Sequence, residues 1–198
     1  MRQYSRVISS SVTVCVLVVF DTLKNMAIFQ ESTLRDEWQT YQLFRYGPVS
    51  LFFKPHILDE AVQFLKKQSY IIHEFNCQDY SSEADVYNDI LLRLGIIQTD
   101  YNEISSTPFW DLLTEAKVPD ESGLILVFMH FDVLHRNLPK CAQDLLEIIA
   151  GYSYNWLWFG RRFKAFVQTD DPSIIIKPLG AHEAYWNPKE WLIKNRTP

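Results

Sequence analysis

Three groups of side chains have types and spacings that could do chemistry. Asp170 and Asp171 are adjacent carboxylates that could divide a proton between a general acid and a general base. Set in Thr169-Asp170-Asp171-Pro172, they read instead as turn residues, because short acidic side chains bond their own backbone and Pro presets φ. His130 and His135 lie five apart across a strand end and a loop, a placement that suits exposed or hydrogen-bonded histidines rather than paired metal ligands. Arg161-Arg162 after Gly160 could hold a phosphate, but such a pair more often flanks a strand and meets nearby carboxylates. The 6 glycines form no phosphate-binding loop, and GxSxG, HExxH and Cys/His ligand spacings are absent. These residues predict no catalytic group, no metal and no cofactor, hence a protein that is not an enzyme.

Charge is distributed unevenly. The 198 residues carry a formal charge of -5, yet residues 74 to 121 hold eleven acids against only Arg93 and Lys117. That segment is a solvated acidic helix face or a surface complementary to a basic partner, which would speed association more than it adds affinity. A nucleic-acid binder shows the opposite, a clustered basic face, so no nucleic-acid partner is expected. Cys15, Cys77 and Cys141 are scattered without a CxxC pair, which fits a reducing cytoplasm rather than a disulfide scaffold.

The elements that must position these groups follow from periodicity. Val49 to Phe53 is a short buried strand after Gly47-Pro48, and Pro55 opens a helix with Ile57, Leu58, Ala61, Phe64 and Leu65 on its apolar face. Tyr70 to Phe75 is a second strand or an edge stretch. Ser81-Ser82 caps a helix with Asp85 in its first turn, and Gly95 stops it. Thr107-Pro108 reads as the cap and first residue of a short helix burying Phe109, Leu112, Leu113 and Ala116. Gly123 to Phe131 is the clearest strand. Leu138-Pro139 begins a helix that Gly151 ends, Arg162 to Gln168 and Ser173 to Ile176 form a hairpin, and Asn187-Pro188-Lys189-Glu190 opens a short last helix. Alternating strands and helices predict an α/β fold with a mostly parallel sheet.

The run Leu94 to Leu113, LGIIQTDYNEISSTPFWDLL, resembles the motif of the barstar family, in which a helix and Leu-Gly lead into a tyrosine-glycine loop and a short helix containing Asn, Asp-Ala and Trp-Asp-Cys-Leu. The later stretches FGRRFKAFVQTDDPSIIIKPLG and WNPKEWL resemble the tail of longer bacterial barstar-related proteins. The resemblance implies a barstar-like three-layer fold, a small mostly parallel sheet packed with helices, with a C-terminal hairpin and short helix appended. It also implies a cytoplasmic inhibitor, or immunity protein, against a basic ribonuclease or toxin, in which carboxylates stand in for substrate phosphates. Trp110-Asp111 matches the Trp-Asp of the inhibitory helix, so Asp111 becomes the main carboxylate, and Tyr101 falls on the loop tyrosine. Thr107 stands where the family has a second acid, Glu103 where it has the loop glycine, Pro108 where it has alanine and Leu112 where it has cysteine. Asp100, Glu103 and Glu115 are the acids near enough in sequence to compensate. The competing expectation is a non-inhibitory interaction module of the same fold, using the aromatic stretch Tyr152 to Arg162.

The expected organisation is an N-terminal segment, 1–37, and a barstar-like domain, 38–198, monomeric when free and not in a membrane. Val12 to Phe20 is an apolar run too short to span a bilayer and lacking a cleavage site. It reads as residues preceding a true start at Met26, as an extra strand, or as a membrane or export segment.

Overall fold

The computed structural model describes residues 34–99, 104–119 and 122–196. The alternatives for Val12 to Phe20 and Met26 lie outside these residues. The chain divides into two compact units, 1–40 and 41–198. The described part of the first is the start of helix α1 (Leu34–Phe44). The second unit contains a five-stranded sheet.

Strand β1 (Val49–Phe52) follows Gly47, whose φ of 77° lies in the left-handed region, and all four of its residues are buried. Helix α2 (Pro55–Lys67) has proline in its first turn and Lys66 and Lys67 in its last, where cations favour the helix dipole. Strand β2 (Ile71–Asn76) is an edge, with only Phe75 fully buried. Helix α3 (Glu83–Arg93) opens on a capping box: the Ser82 hydroxyl accepts from the Asp85 amide, and the Asp85 carboxylate accepts from the Ser82 amide at 2.8 Å. Gly95, at φ 68°, turns the chain out of it, as expected.

After α4 (Ser106–Leu113) come β3 (Leu124–Met129), α5 (Phe131–Asn137), α6 (Pro139–Leu157) and β4 (Phe163–Gln168). The two-residue β5 (Tyr185–Trp186) is followed by single tight helical turns at Pro188–Glu190 and Ile193–Arg196. The strand order is β2-β3-β4-β1-β5, and every neighbouring pair is parallel. Among the described residues, no helix is long and apolar enough to cross a membrane.

Strand alternation divides the core between the two faces. Phe163, Ala165 and Val167 of β4 join Leu124, Leu126 and Phe128 of β3 beneath α3, α4, α5 and α6. On the other face, Phe166, Ile125 and Val127 pack with Leu58, Val62 and Leu65 of α2 and with Leu43 and Phe44. The result is the three-layer α/β architecture expected.

Four expectations are corrected. There is no Ser173 to Ile176 strand and no C-terminal hairpin: β4 lies between β3 and β1, with both edges already hydrogen-bonded, so it has no edge to offer. Instead, Asp171 holds the Ser173 amide and hydroxyl at 2.8 and 2.7 Å. Ile175 faces solvent, and the antiparallel bridge falls further on, between Leu179 and His182. Gly151 does not end α6, which continues to Leu157. His135 lies on α5, not in a loop. The last helix is reduced to two tight turns around Trp191-Leu192, and Glu190 does not serve as a local cap. It is fully buried and accepts from the amides of Phe53 (3.2 Å) and Lys54 (2.7 Å), across the start of α2.

Candidate functional site

Helix α4 is eight residues long, too short to persist alone in water. Packing holds it. Phe109 and Leu113 are fully buried, and Phe109 stacks on Tyr87 of α3 with ring centroids 4.4 Å apart. Each such side chain contributes roughly 1.5–3 kcal/mol on burial. The helix starts at Ser106, not Pro108, and the cap residue Ser105 makes no side-chain cap bond. Glu83, in the first turn of α3, accepts from the Ser106 amide at 3.2 Å and so caps α4 across helices.

This packing turns Thr107, Trp110 and Asp111 outward. Trp110 is 38% exposed and divides its surface between core and solvent. Its ring lies 4.9 Å from that of Tyr152 on α6, and the Tyr152 hydroxyl donates to the Trp110 carbonyl at 2.8 Å. The ring also rests over Gly151: a Cβ there would come within 2.8 Å of Trp110 Cη2. A side chain inside α6 at this position would push the Trp110 ring aside, and glycine lets α4 approach this closely. Asp111 stands free of the core and, among the described residues, forms no ion pair. Its charge is felt at Tyr152, whose pKa is raised by burial and then by Asp111.

A cleft of about 680 Å³ runs beside α4, between it, α6 and the Leu179–His182 turn. Thr107 and Trp110 line one wall, and Asp144 and Glu147 line the other. The turn is tied to α6 by Tyr154, which stacks on His182 at 4.1 Å and bonds its Nδ1 at 3.0 Å. Burial, together with Tyr185, raises the Tyr154 pKa. Asp144 sits 3.9 Å from Lys140, and Glu147 accepts from Gln143 at 2.7 Å. Neither acid was singled out from sequence, although they lie three apart on one helix face, the spacing that brings side chains together.

Of the expected site residues, Asp111, Trp110 and Thr107 share this face, and Glu115 is exposed in the turn after α4. Tyr101, Asp100 and Glu103 lie outside the described residues.

The groups considered for catalysis are arranged differently. Asp170 and Asp171 do not face each other as a proton-sharing pair. Asp170 lies 2.6 Å from His130 Nδ1 and accepts from Gln168 at 2.8 Å, while Asp171 closes the local turn to Ser173. Burial pushes the Asp170 carboxyl up, but hydrogen bonds from His130 and Gln168 outweigh it, and the pKa falls below the ordinary value. His130 holds a left-handed backbone at φ 54°, its amide bonded to Gln168 at 2.7 Å, and Asp132 binds the Asp170 amide at 3.0 Å. These side chains knit the carboxyl ends of β3 and β4 together. Among the described residues, no group of three or more His, Cys, Asp or Glu could hold a metal ion. Arg162 donates to the Tyr70 hydroxyl at 2.6 Å, and Arg161 lies over the Trp156 ring. Cys77 and Cys141 are buried free thiols, with the Cys141 pKa pushed up to about 12, chiefly by burial.

No protein-family model matches this chain, and no curated protein does.

Proposed function

We propose that this chain is a barstar-like protein that binds a basic protein, a ribonuclease or toxin, through α4 and the loop before it, and inhibits it by setting carboxylates where the enzyme would hold substrate phosphates. The observation that carries this reading is the outward-facing Trp110–Asp111 pair on α4, bordering a cleft whose far wall adds Asp144 and Glu147. Among the described residues Asp111 has no ion pair to give up, so pairing with an arginine or lysine gains a charge-assisted hydrogen bond at low reorganisation cost. Thr107 lies where a second inhibitory acid is expected, and the carboxylates across the cleft supply negative charge near it. The partner approaches down the field of this face, which raises the association rate. The protein acts as a monomer in the cytoplasm and needs no cofactor.

The competing reading, an interaction module that inhibits nothing, is favoured by the exposed Leu157, Trp158 and Phe159 at the end of α6. Calorimetric titration against basic ribonucleases and toxins encoded beside this gene separates the two. Wild type should bind and inhibit one of them, and Asp111→Ala should weaken binding by roughly ten- to hundredfold, as loss of a charge-assisted bond implies. If wild type binds no basic protein, or Asp111→Ala binds equally well, the charge-mimic mechanism is wrong.

A further inference from the structure

A second cleft, of about 560 Å³, opens on the other side of Trp110. Its lining includes Tyr152, Asn155, Trp156, Trp158 and Phe159, so Trp110 is the ridge between an acidic cleft and an aromatic one. The aromatic side is unusually exposed. Trp158 is 89% and Phe159 75% accessible, where α6 gives way to the turn at Gly160. Side chains this open add little to the core, and a contiguous apolar patch of this kind marks a contact surface.

The charge nearby indicates what fits. The Asp111 carboxylate is close enough to raise the pKa of Tyr152, which lines the aromatic cleft. The same surface already stacks one cation: the Arg161 guanidinium lies 5.1 Å from the Trp156 ring centroid. Trp158 makes no ring or cation contact of its own among the described residues, so its faces are open to the same chemistry. A second copy of the chain fits worse. A two-fold contact through this patch sets each copy's Asp111 face against its like.

We propose that the aromatic cleft formed by Trp110, Tyr152, Trp156, Trp158 and Phe159 seats an arginine- or lysine-bearing segment of a basic protein partner, its cation stacked on Trp158 and drawn in by Asp111. This rests on the reading of α4 as the face that meets a basic protein, and extends that face around Trp110 to the end of α6.

The probe is a capped decapeptide of alternating arginine and glycine, with citrulline replacing arginine in the control, titrated into the full chain while tryptophan emission and indole NMR signals are followed. The arginine peptide should shift the Trp158 and Trp110 indole signals, and the citrulline peptide should not. Trp158→Ala, at a solvent-facing position, should fold normally and bind roughly two- to thirtyfold more weakly, while Trp158→Phe keeps most of the affinity. If Trp158→Ala binds as wild type does while Asp111→Ala does not, the aromatic seat is refuted and the α4 reading survives. If Trp158→Ala loses the peptide while Asp111→Ala retains it, the stacking on Trp158 stands, but the part assigned to Asp111 is overturned and the α4 reading falls with it. Absence of arginine-peptide binding, or equal binding of the citrulline peptide, overturns the proposal. So does sedimentation showing a dimer that Trp158→Ala dissolves, since the occupant is then a second copy.

Discussion

Lys164 offers a test of the fold that can be worked through in numbers. It lies on β4 opposite Ile125, on the α2 face of the sheet, and is only 1% exposed. Its ammonium donates to the Gly47 carbonyl and lies 5.8 Å from the Phe44 ring centroid, with no carboxylate among the described residues paired to it. Burial alone lowers its pKa from 10.5 to about 7. Because the folded-state value is the lower one, the unfolded chain holds a proton that the folded chain releases between those values, so stability rises with pH across that window. Below about pH 7 both states are protonated and the full penalty stands; above about 10.5 it is gone. At about 1.4 kcal/mol per pH unit the whole penalty is about 5 kcal/mol, of which about 2–3 kcal/mol is relieved between pH 6 and pH 9. Lys164→Met keeps the apolar stem and removes the amine. Urea denaturation of both chains at pH 6, 7.5 and 9 isolates the effect, since every other group titrates in both. The variant's stability advantage should shrink by about 2–3 kcal/mol from pH 6 to pH 9. Parallel pH profiles would refute the claim that the amine is buried in its charged form at a cost.

Two further outcomes follow from the packing. Gly151→Ala should change stability by no more than about 1 kcal/mol, because the gain in helix propensity is set against a Cβ placed 2.8 Å from Trp110 Cη2. The same variant should shift the Trp110 indole resonance and weaken partner binding, and an unmoved resonance counts against the contact. Glu190→Ala should cost roughly 2–5 kcal/mol in urea denaturation, because two amides at the start of α2 lose a buried acceptor. Glu190→Gln keeps one acceptor oxygen and should cost less than half as much, so equal losses would show that the carboxylate's hydrogen bonds are not what matters.

Local signals were read correctly where the physics is local. The serine cap of α3 with Asp85 in its first turn, the stop at Gly95 and the apolar runs of β1, β3 and β4 each depend on residues a few positions apart. The failures share one cause, a local signal overruled by something distant. Gly151 looks like a stop, but α6 passes through it because Trp110 needs the space that a side chain would fill. Ile174 to Ile176 has strand composition, but the neighbouring strand has no free edge. Glu190 stands three residues after Asn187, as a capping residue would, yet its carboxylate is taken by the amides of Phe53 and Lys54.

The candidate site divides along the same line. Asp111 and Trp110 were identifiable because they adjoin within one short motif. Asp144 and Glu147 were not, because only the antiparallel bridge at Leu179–His182 and the seating of α4 on α6 bring them across from Thr107. Trp158 and Phe159 stood out as aromatic, but nothing in their spacing distinguishes a buried stripe from an exposed one. The distinction comes from where α6 ends: Tyr152 still reaches α4, whereas Leu157, Trp158 and Phe159 lie past the last neighbouring element and face solvent. A partner that reads Asp111 alone should therefore tolerate loss of Trp158. One that lies across both clefts should lose affinity on either substitution, and by less than the summed losses when both are made, because the two side chains flank the same Trp110 ridge and share one bound segment.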